Sequence, residues 1–315
     1  MISDGDEPGK GMPMSDVITI ENGDLTAQVK VRGAELASLK RGEDEYLWQA
    51  DPHWWPRQAP VLFPIVGNLR NDKATSAAGP CAMGRHGVAR INDFEVWSVG
   101  SGTVTMRLQS SDETLAAYPY PFVLDMTYTL EASTEGGAPD TLRQTFEVSN
   151  TGDQVMPFSV GGHPAFNVPA PGRTDAWEDY ELVFSEPWTY ASPGIAGGLW
   201  DYGIQIPIVD DADRMPLRRD LFVHDTVELE HVPGHTVTLA SKESGPVLRV
   251  DFDEFSYLGV WSAGCETGDA PFLAIEPWTG TATRTDEDDV FEHKQHTLFC
   301  EPGDTMTRSF TITLL

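Results

Sequence analysis

The sequence predicts an all-β protein, a large antiparallel β-sandwich, and three observations carry that prediction. Short segments alternate apolar and polar residues at a period of two, as half-buried strands do. Turn residues separate them at fairly regular intervals: Glu21-Asn22-Gly23-Asp24, Glu135-Gly136-Gly137-Ala138-Pro139 and Glu301-Pro302-Gly303-Asp304. Sustained helical periodicity is nearly absent, and without crossover helices a parallel α/β sheet cannot be built. More than about a third of the residues should therefore be strand and under about a tenth helix.

Taken in order, residues 1 to 16 hold few apolar side chains and much Gly, Pro and Asp, so they read as a flexible lead-in. A single domain over residues 17–315 follows. Its strand patterns begin at Val17–Ile20 and Leu25–Val31, and continue at Val104–Leu108, Leu124–Leu130 and Thr141–Ser149. Tyr180–Phe184, Thr236–Leu239, Val247–Phe252 and Met306–Leu314 complete the series. One short helix is expected near Asp112–Ala117, and the Gly- and Pro-rich stretch Ser192–Leu199 reads as a long surface loop.

Composition narrows the function. Lys and Arg number 21 against 49 Asp and Glu, a net charge of −28, which disfavours phosphate backbones and anionic membranes as partners. The acidity is spread through stretches such as Asp210, Asp211 and Asp213 or Asp286–Asp289, as on a solvated surface. Cys81, Cys265 and Cys300 form no C-x-x-C pair and are odd in number, so a disulfide framework is not expected and a reducing cytoplasm fits. No apolar run approaches the roughly 20 residues a membrane span needs, and the N-terminus lacks the basic-then-apolar order of a signal peptide.

Three segments set an ionisable residue among Gly, Pro and aromatics: Arg85-His86-Gly87-Val88-Ala89-Arg90, Gly161-Gly162-His163-Pro164-Ala165-Phe166-Asn167 and Ile275-Glu276-Pro277-Trp278-Thr279-Gly280. His163 stands where the backbone turns, so its imidazole either bonds that turn or is presented for proton transfer, which its ordinary pKa suits. Glu276 ends the apolar run Pro271–Ile275; it either tips into solvent or stays buried with a raised pKa, as a general base requires. His86 alone reads equally as a surface histidine. Arg70, after the apolar run Pro60–Val66, is either a solvated loop residue or a two-hydrogen-bond donor to a sugar hydroxyl or phosphate. Trp54, Trp55, Phe63, Phe166, Trp261 and Trp278 lie in or beside these segments; each could build the core, and as a set they could stack on a pyranose.

Other chemistries find less support. His231 and His235 are spaced i, i+4, but Val232-Pro233-Gly234 between them forbids the helix a zinc site of that spacing needs. His293, His296 and Cys300 are a loose cluster without ligand geometry. No phosphate-binding or nucleophile-elbow motif is present. No metal and no cofactor are expected.

With these residues in hand, the chain resembles the galactose mutarotase (aldose 1-epimerase) superfamily, and within it the LacX-like branch. The resemblance runs from about Val17 to Leu315 through Gly33–Leu39, Ala59–Gly67, His86–Arg90, Gly162–Asn167, Asp220–Phe222 and Glu276–Gly280. It implies a β-supersandwich with an open cleft for a free sugar. It further implies Glu276 as the base that takes the C1 hydroxyl proton, His163 as the acid that protonates the ring oxygen, and His86 as a hydrogen-bonding partner at the reacting end. Arg70, Phe166, Asn167, Trp261 and Trp278 are the substrate-binding candidates.

Two departures stand out. Asn68 occupies the place where many relatives carry Arg after the Gly67 equivalent, so whether Arg70 stands in for it is a question for the structure. Val88 replaces the usual Phe of H-G-F-A-R, which alters the pocket's shape. A hexose-6-phosphate 1-epimerase, its phosphate met by Arg70, Arg85 and Arg90, is one alternative; a non-catalytic carbohydrate-binding protein is another. The expected partner is a small-molecule sugar, bound by a monomer or a homodimer.

Overall fold

A computed structural model describes residues 16–134, 136–263 and 270–315. Strand accounts for 53% of the described residues and helix for 9%, in sheets whose named pairs are all antiparallel. The expected lead-in and Cys265 lie outside the described residues, the former but for Asp16. Cys81 and Cys300 are buried free thiols. No helix among the described residues is long and apolar enough to cross a membrane.

The largest sheet has nine strands. From one edge they run Leu199–Pro216, Tyr180–Ala196, Thr236–Ser241, Gly245–Asp251, Thr305–Leu314, Thr141–Asn150, Phe122–Glu131, Thr103–Gln109 and Glu95–Gly100. Its central strands largely show the alternation expected of them: Leu124, Met126, Tyr128 and Leu130 are buried and Val123, Thr127 and Thr129 half-exposed, while Asp125 is buried too. A four-stranded sheet, Val17–Asn22, Leu25–Lys30, Leu36–Arg41 and Asp44–Glu45, contributes Ile20, Leu25, Ala27 and Val29 to the same core. The expected helix is present at Asp112–Ala117, started by a Ser111/Thr114 capping box.

The third sheet positions the site. Its order is Val227–Glu230, Tyr257–Trp261, Phe272–Trp278, Gly161–Gly162 and Val61–Leu62, with Ala165–Asn167 also pairing to Phe272–Trp278. The Phe272–Trp278 strand is buried along its whole length, which is why it reads as an unbroken apolar run. Leu273 and Ile275 enter the main core, whereas Phe272 and Ala274 face a second cluster with Trp48, Trp54, Trp55 and Trp261. Strand alternation puts Glu276 and Trp278 on that second face.

One expectation fails here. Ser192–Leu199 is not a loop but the tip of a long hairpin between Tyr180–Ala196 and Leu199–Pro216. Gly197 and Gly198 both have positive φ, as a two-residue hairpin turn demands, and Pro187, Pro193 and Pro207 are tolerated because this ribbon lies at the edge of its sheet.

Candidate active site

A cleft of about 320 Å³ opens on the second face of the third sheet. His86, His163, Glu276, Trp261 and Trp278 line it, joined by Trp55, Arg85 and Arg90.

Glu276 is 1% exposed, lines the cleft, and stands directly across the ladder from Gly259. A Cβ at Gly259 would collide with the Trp278 ring, so the glycine is what lets the indole lie against the sheet beside Glu276. His163 follows the two-residue strand Gly161–Gly162, whose Gly161 pairs with both Leu62 and Trp278. That register brings His163 Nε2 to 3.2 Å from Glu276 Oε2. The contact is short but not aligned as a hydrogen bond: both Glu276 oxygens, His163 Nδ1 and Trp278 Nε1 are buried without a hydrogen-bond partner among the described residues. Trp55 stacks on the His163 ring at 4.8 Å between centroids, and Trp261 meets it edge-on at 5.7 Å.

His86 is held in a left-handed turn at φ 69°. The turn continues through Gly87, where any side chain would strike the Phe63 carbonyl. His86 N–H donates to the Gly67 carbonyl at 2.8 Å and its Nδ1 accepts from the Gly67 N–H at 3.1 Å. An accepting Nδ1 assigns the proton of the neutral ring to Nε2. The ring meets that of His163 edge-on at 5.6 Å.

Burial governs the electrostatics. It pushes the His163 imidazolium down to about 3, with Arg90, Arg85 and Arg57 acting in the same direction. Burial, then the neighbouring His163 and the same arginines, pushes His86 well below the ordinary imidazole range. Glu276 is raised well above the usual carboxylate range by burial and then by Asp225, against smaller lowering effects of Trp278 and Arg85. Burial thus opposes charge on both members of the His163–Glu276 pair, and its two titrations belong to the pair rather than to either residue.

The remaining candidates divide. Arg70 is not in the cleft: it forms an ion pair with Asp289 at 3.0 Å and donates to the carbonyls of Arg284, Thr285 and Glu287, tying down a loop. Nor does it replace the arginine missing at Asn68; Arg85 lies there instead, donating to Asn68 Oδ1 at 3.2 Å and to Asp225 at 2.8 Å. Phe166 is wholly buried in the main core, one position out of phase with the cleft face. Asn167 spends its amide on the carbonyls of Glu45 and Leu47. Trp278 lines the cleft but is only 4% exposed, so little of its face is open for stacking.

Trp55 and Arg85, named in the sequence only within an aromatic set and a set of arginines, both line the cleft. Asp225 and the hairpin tip carry no sequence signal at all. His231 and His235 lie outside the cleft, and His293 pairs with Asp288 on the surface.

The fold and the site define a β-sandwich protein with a small cleft in which a buried histidine meets a buried glutamate. A family model for aldose 1-epimerase matches residues 16–286. Protein LacX of Lactococcus lactis subsp. lactis is 38% identical over 307 residues, covering 95% of this chain and 99% of that one. A galactose mutarotase related enzyme from Lactobacillus acidophilus superposes with a TM-score of 0.86 at 32% identity, covering 95% of this chain and 97% of that one. A galactose mutarotase-like protein from Lactobacillus casei gives 0.82 at 31%, covering 95% and 100%. The chain belongs to the aldose 1-epimerase family, in its LacX-like branch.

Proposed function

We propose that this chain is an aldose 1-epimerase, interconverting the α and β anomers of an aldose. The observation that carries the reading is the His163–Glu276 pair, 3.2 Å apart and buried in a cleft with no competing hydrogen-bond partners among the described residues. Groups so placed are available to a sugar's anomeric hydroxyl and ring oxygen.

Glu276 takes the proton from the C1 hydroxyl while His163 gives one to the ring oxygen. The C1–ring oxygen bond breaks, the free aldehyde forms, and rotation about C1–C2 presents its other face. Closure returns both protons. The forward step uses the charge-separated arrangement of the shared proton, and an O1–H donating to Glu276 favours that arrangement over the neutral one. His86, a neutral Nε2–H donor, meets an oxygen at the reacting end. Trp55 and Trp261 fix the His163 ring and supply apolar surface for the sugar's C–H face.

One observation favours a second reading, an aldose carrying an anionic group. Arg90 lines the cleft, and neither it nor Arg57 has an ion-pair or hydrogen-bond partner for its guanidinium among the described residues. Burial and then Arg57 push Arg90 down to about 10, which an oxyanion would relieve. NMR exchange spectroscopy across free aldoses, hexose 6-phosphates and hexuronates tests both readings. Exchange above the spontaneous rate for any of them supports the epimerase, and the ratio of neutral to anionic substrates decides between the two. No acceleration for any member refutes both.

A further inference from the structure

The hairpin formed by Tyr180–Ala196 and Leu199–Pro216 belongs to the nine-stranded sheet, yet its tip reaches the cleft of another sheet. Register shifts between Val183 and Trp188 and again between Pro193 and Gly194 break the ladder along its length. The tip is docked by backbone groups: Trp200 N–H donates to the Thr283 carbonyl at 3.2 Å, and Thr285 N–H to the Trp200 carbonyl at 2.8 Å. Ile195, Leu199 and Trp200 line the cleft there. This wall carries no charged group and no hydroxyl.

Beneath the ribbon lies Glu228, wholly buried and absent from the cleft lining. Tyr202 of the ribbon donates its hydroxyl to Oε1, and Thr281 donates to Oε2. The Glu228 N–H donates to the hydroxyl of Ser192, on the ribbon's other strand, at 3.0 Å. Both strands of the ribbon are thus fastened to one residue. In the sheet, Glu228 pairs with Gly259 and Gly259 with Glu276, so the fastening point shares a ladder row with the proposed base. Arg284 caps the arrangement, its guanidinium 4.4 Å from the Tyr202 ring centroid.

We propose that the ribbon tip is the specificity wall of the cleft, and that Glu228, which does not touch the sugar, is the positioning residue that holds it. An apolar wall selects by shape, so it discriminates sugars by the bulk of a substituent rather than by hydroxyl orientation. The inference rests on the epimerase reading for its kinetic readout.

The test measures kcat and KM for D-glucose and D-xylose, which differ by the exocyclic hydroxymethyl group, in the wild type and in Leu199→Ala, Tyr202→Phe, Glu228→Ala and Glu228→Gln, each checked for folding by thermal melt. Tyr202→Phe and Glu228→Ala should raise KM and shift the glucose-to-xylose ratio of kcat/KM by on the order of 10-fold, in the direction Leu199→Ala shifts it, the range that a methylene's worth of pocket contact produces. Their kcat should stay within about 2-fold of wild type, as for loss of uniform binding. Glu228→Gln, which still accepts from Tyr202, should restore both values. An unchanged ratio in folded Tyr202→Phe and Leu199→Ala overturns the proposal, as does a fall in kcat at constant KM in both Glu228 variants. If the wild type exchanges no anomers, the epimerase reading fails by itself; dissociation constants of the same sugars from NMR titration then supply the ratio, and an unchanged ratio overturns the wall in the same way.

Discussion

Glu276→Gln separates the proton-transfer role of this residue from a binding role. The substitution keeps the size and planarity of a side chain that is 1% exposed, so the fit beside His163 and Trp278 is retained. What it removes is the ionisable carboxyl 3.2 Å from His163 Nε2, the base of the epimerase reading. Positioned proton transfer contributes about 10²–10⁴-fold, equivalent to roughly 3–5 kcal/mol of barrier, and kcat should fall by that factor. KM should change by no more than a few fold, because the indoles and His86 are untouched. The pH profile carries a second, independent signal. In the wild type, burial drives His163 down and Glu276 up, which should set the pair's two titrations far apart and give a broad plateau between them. The acidic limb is uptake of a second proton and the alkaline limb loss of the shared one. With glutamine at 276 only one titrating group is left, so the bell should become a single sigmoid. Polarimetry of freshly dissolved anomer, corrected for spontaneous mutarotation, gives both measurements. A variant that keeps more than about a tenth of wild-type kcat, or keeps kcat while losing sugar binding, refutes the assignment and puts a carbohydrate-binding role in its place.

His163→Asn should lower kcat by a similar order, about 10²–10⁴-fold, with KM nearly unchanged; a KM-only effect in the same assay would count against it as the acid. Trp55→Ala removes the indole stacked on His163 and should cost about 10-fold in kcat, less than loss of the imidazole itself, since a misplaced group still transfers protons slowly. Glu228→Gln bears on stability. Burial pushes the Glu228 carboxyl up to about 7 from 4.5, so its favourable contribution is complete below pH 4.5 and is lost as pH rises through 7. The variant should therefore gain up to about 3 kcal/mol relative to wild type at pH 8 and little at pH 4.5, measured by urea unfolding. An equal difference at both pH values would show that this carboxyl is not the titrating group.

Much of the architecture is legible in the sequence because strand alternation is a local property. Leu124–Leu130 and Thr141–Ser149 declare their buried faces without reference to anything distant. The ribbon is not legible past Phe184: its prolines and glycines read as loop residues, and only its place at a sheet edge makes them acceptable in a strand. At the site, His86, His163 and Glu276 are conspicuous because Gly and Pro beside an ionisable group imply an unusual backbone. Phe166 and Asn167 become candidates through nearness to His163 in sequence, and nearness misleads. Ala165 faces the cleft-side cluster, Phe166 the main core, and Asn167 the carbonyls of a neighbouring segment. Arg70 shows the same limit: its partner Asp289 is more than two hundred residues away, and no local pattern announces that pairing.

The pairing of Gly161 with both Leu62 and Trp278 has a consequence for how this protein fails. The segment that holds His163 pairs on both sides of it with the strand that carries Glu276, through Gly161 with Trp278 and through Ala165 with Ala274. His163 and Glu276 cannot be drawn apart by a loop fluctuation; separating them requires opening the interior of the sheet, an excursion close in free energy to unfolding the molecule. A folded but disassembled centre is therefore not an accessible state. Substitutions far from the cleft should reduce the amount of native protein while leaving the turnover of each surviving molecule intact.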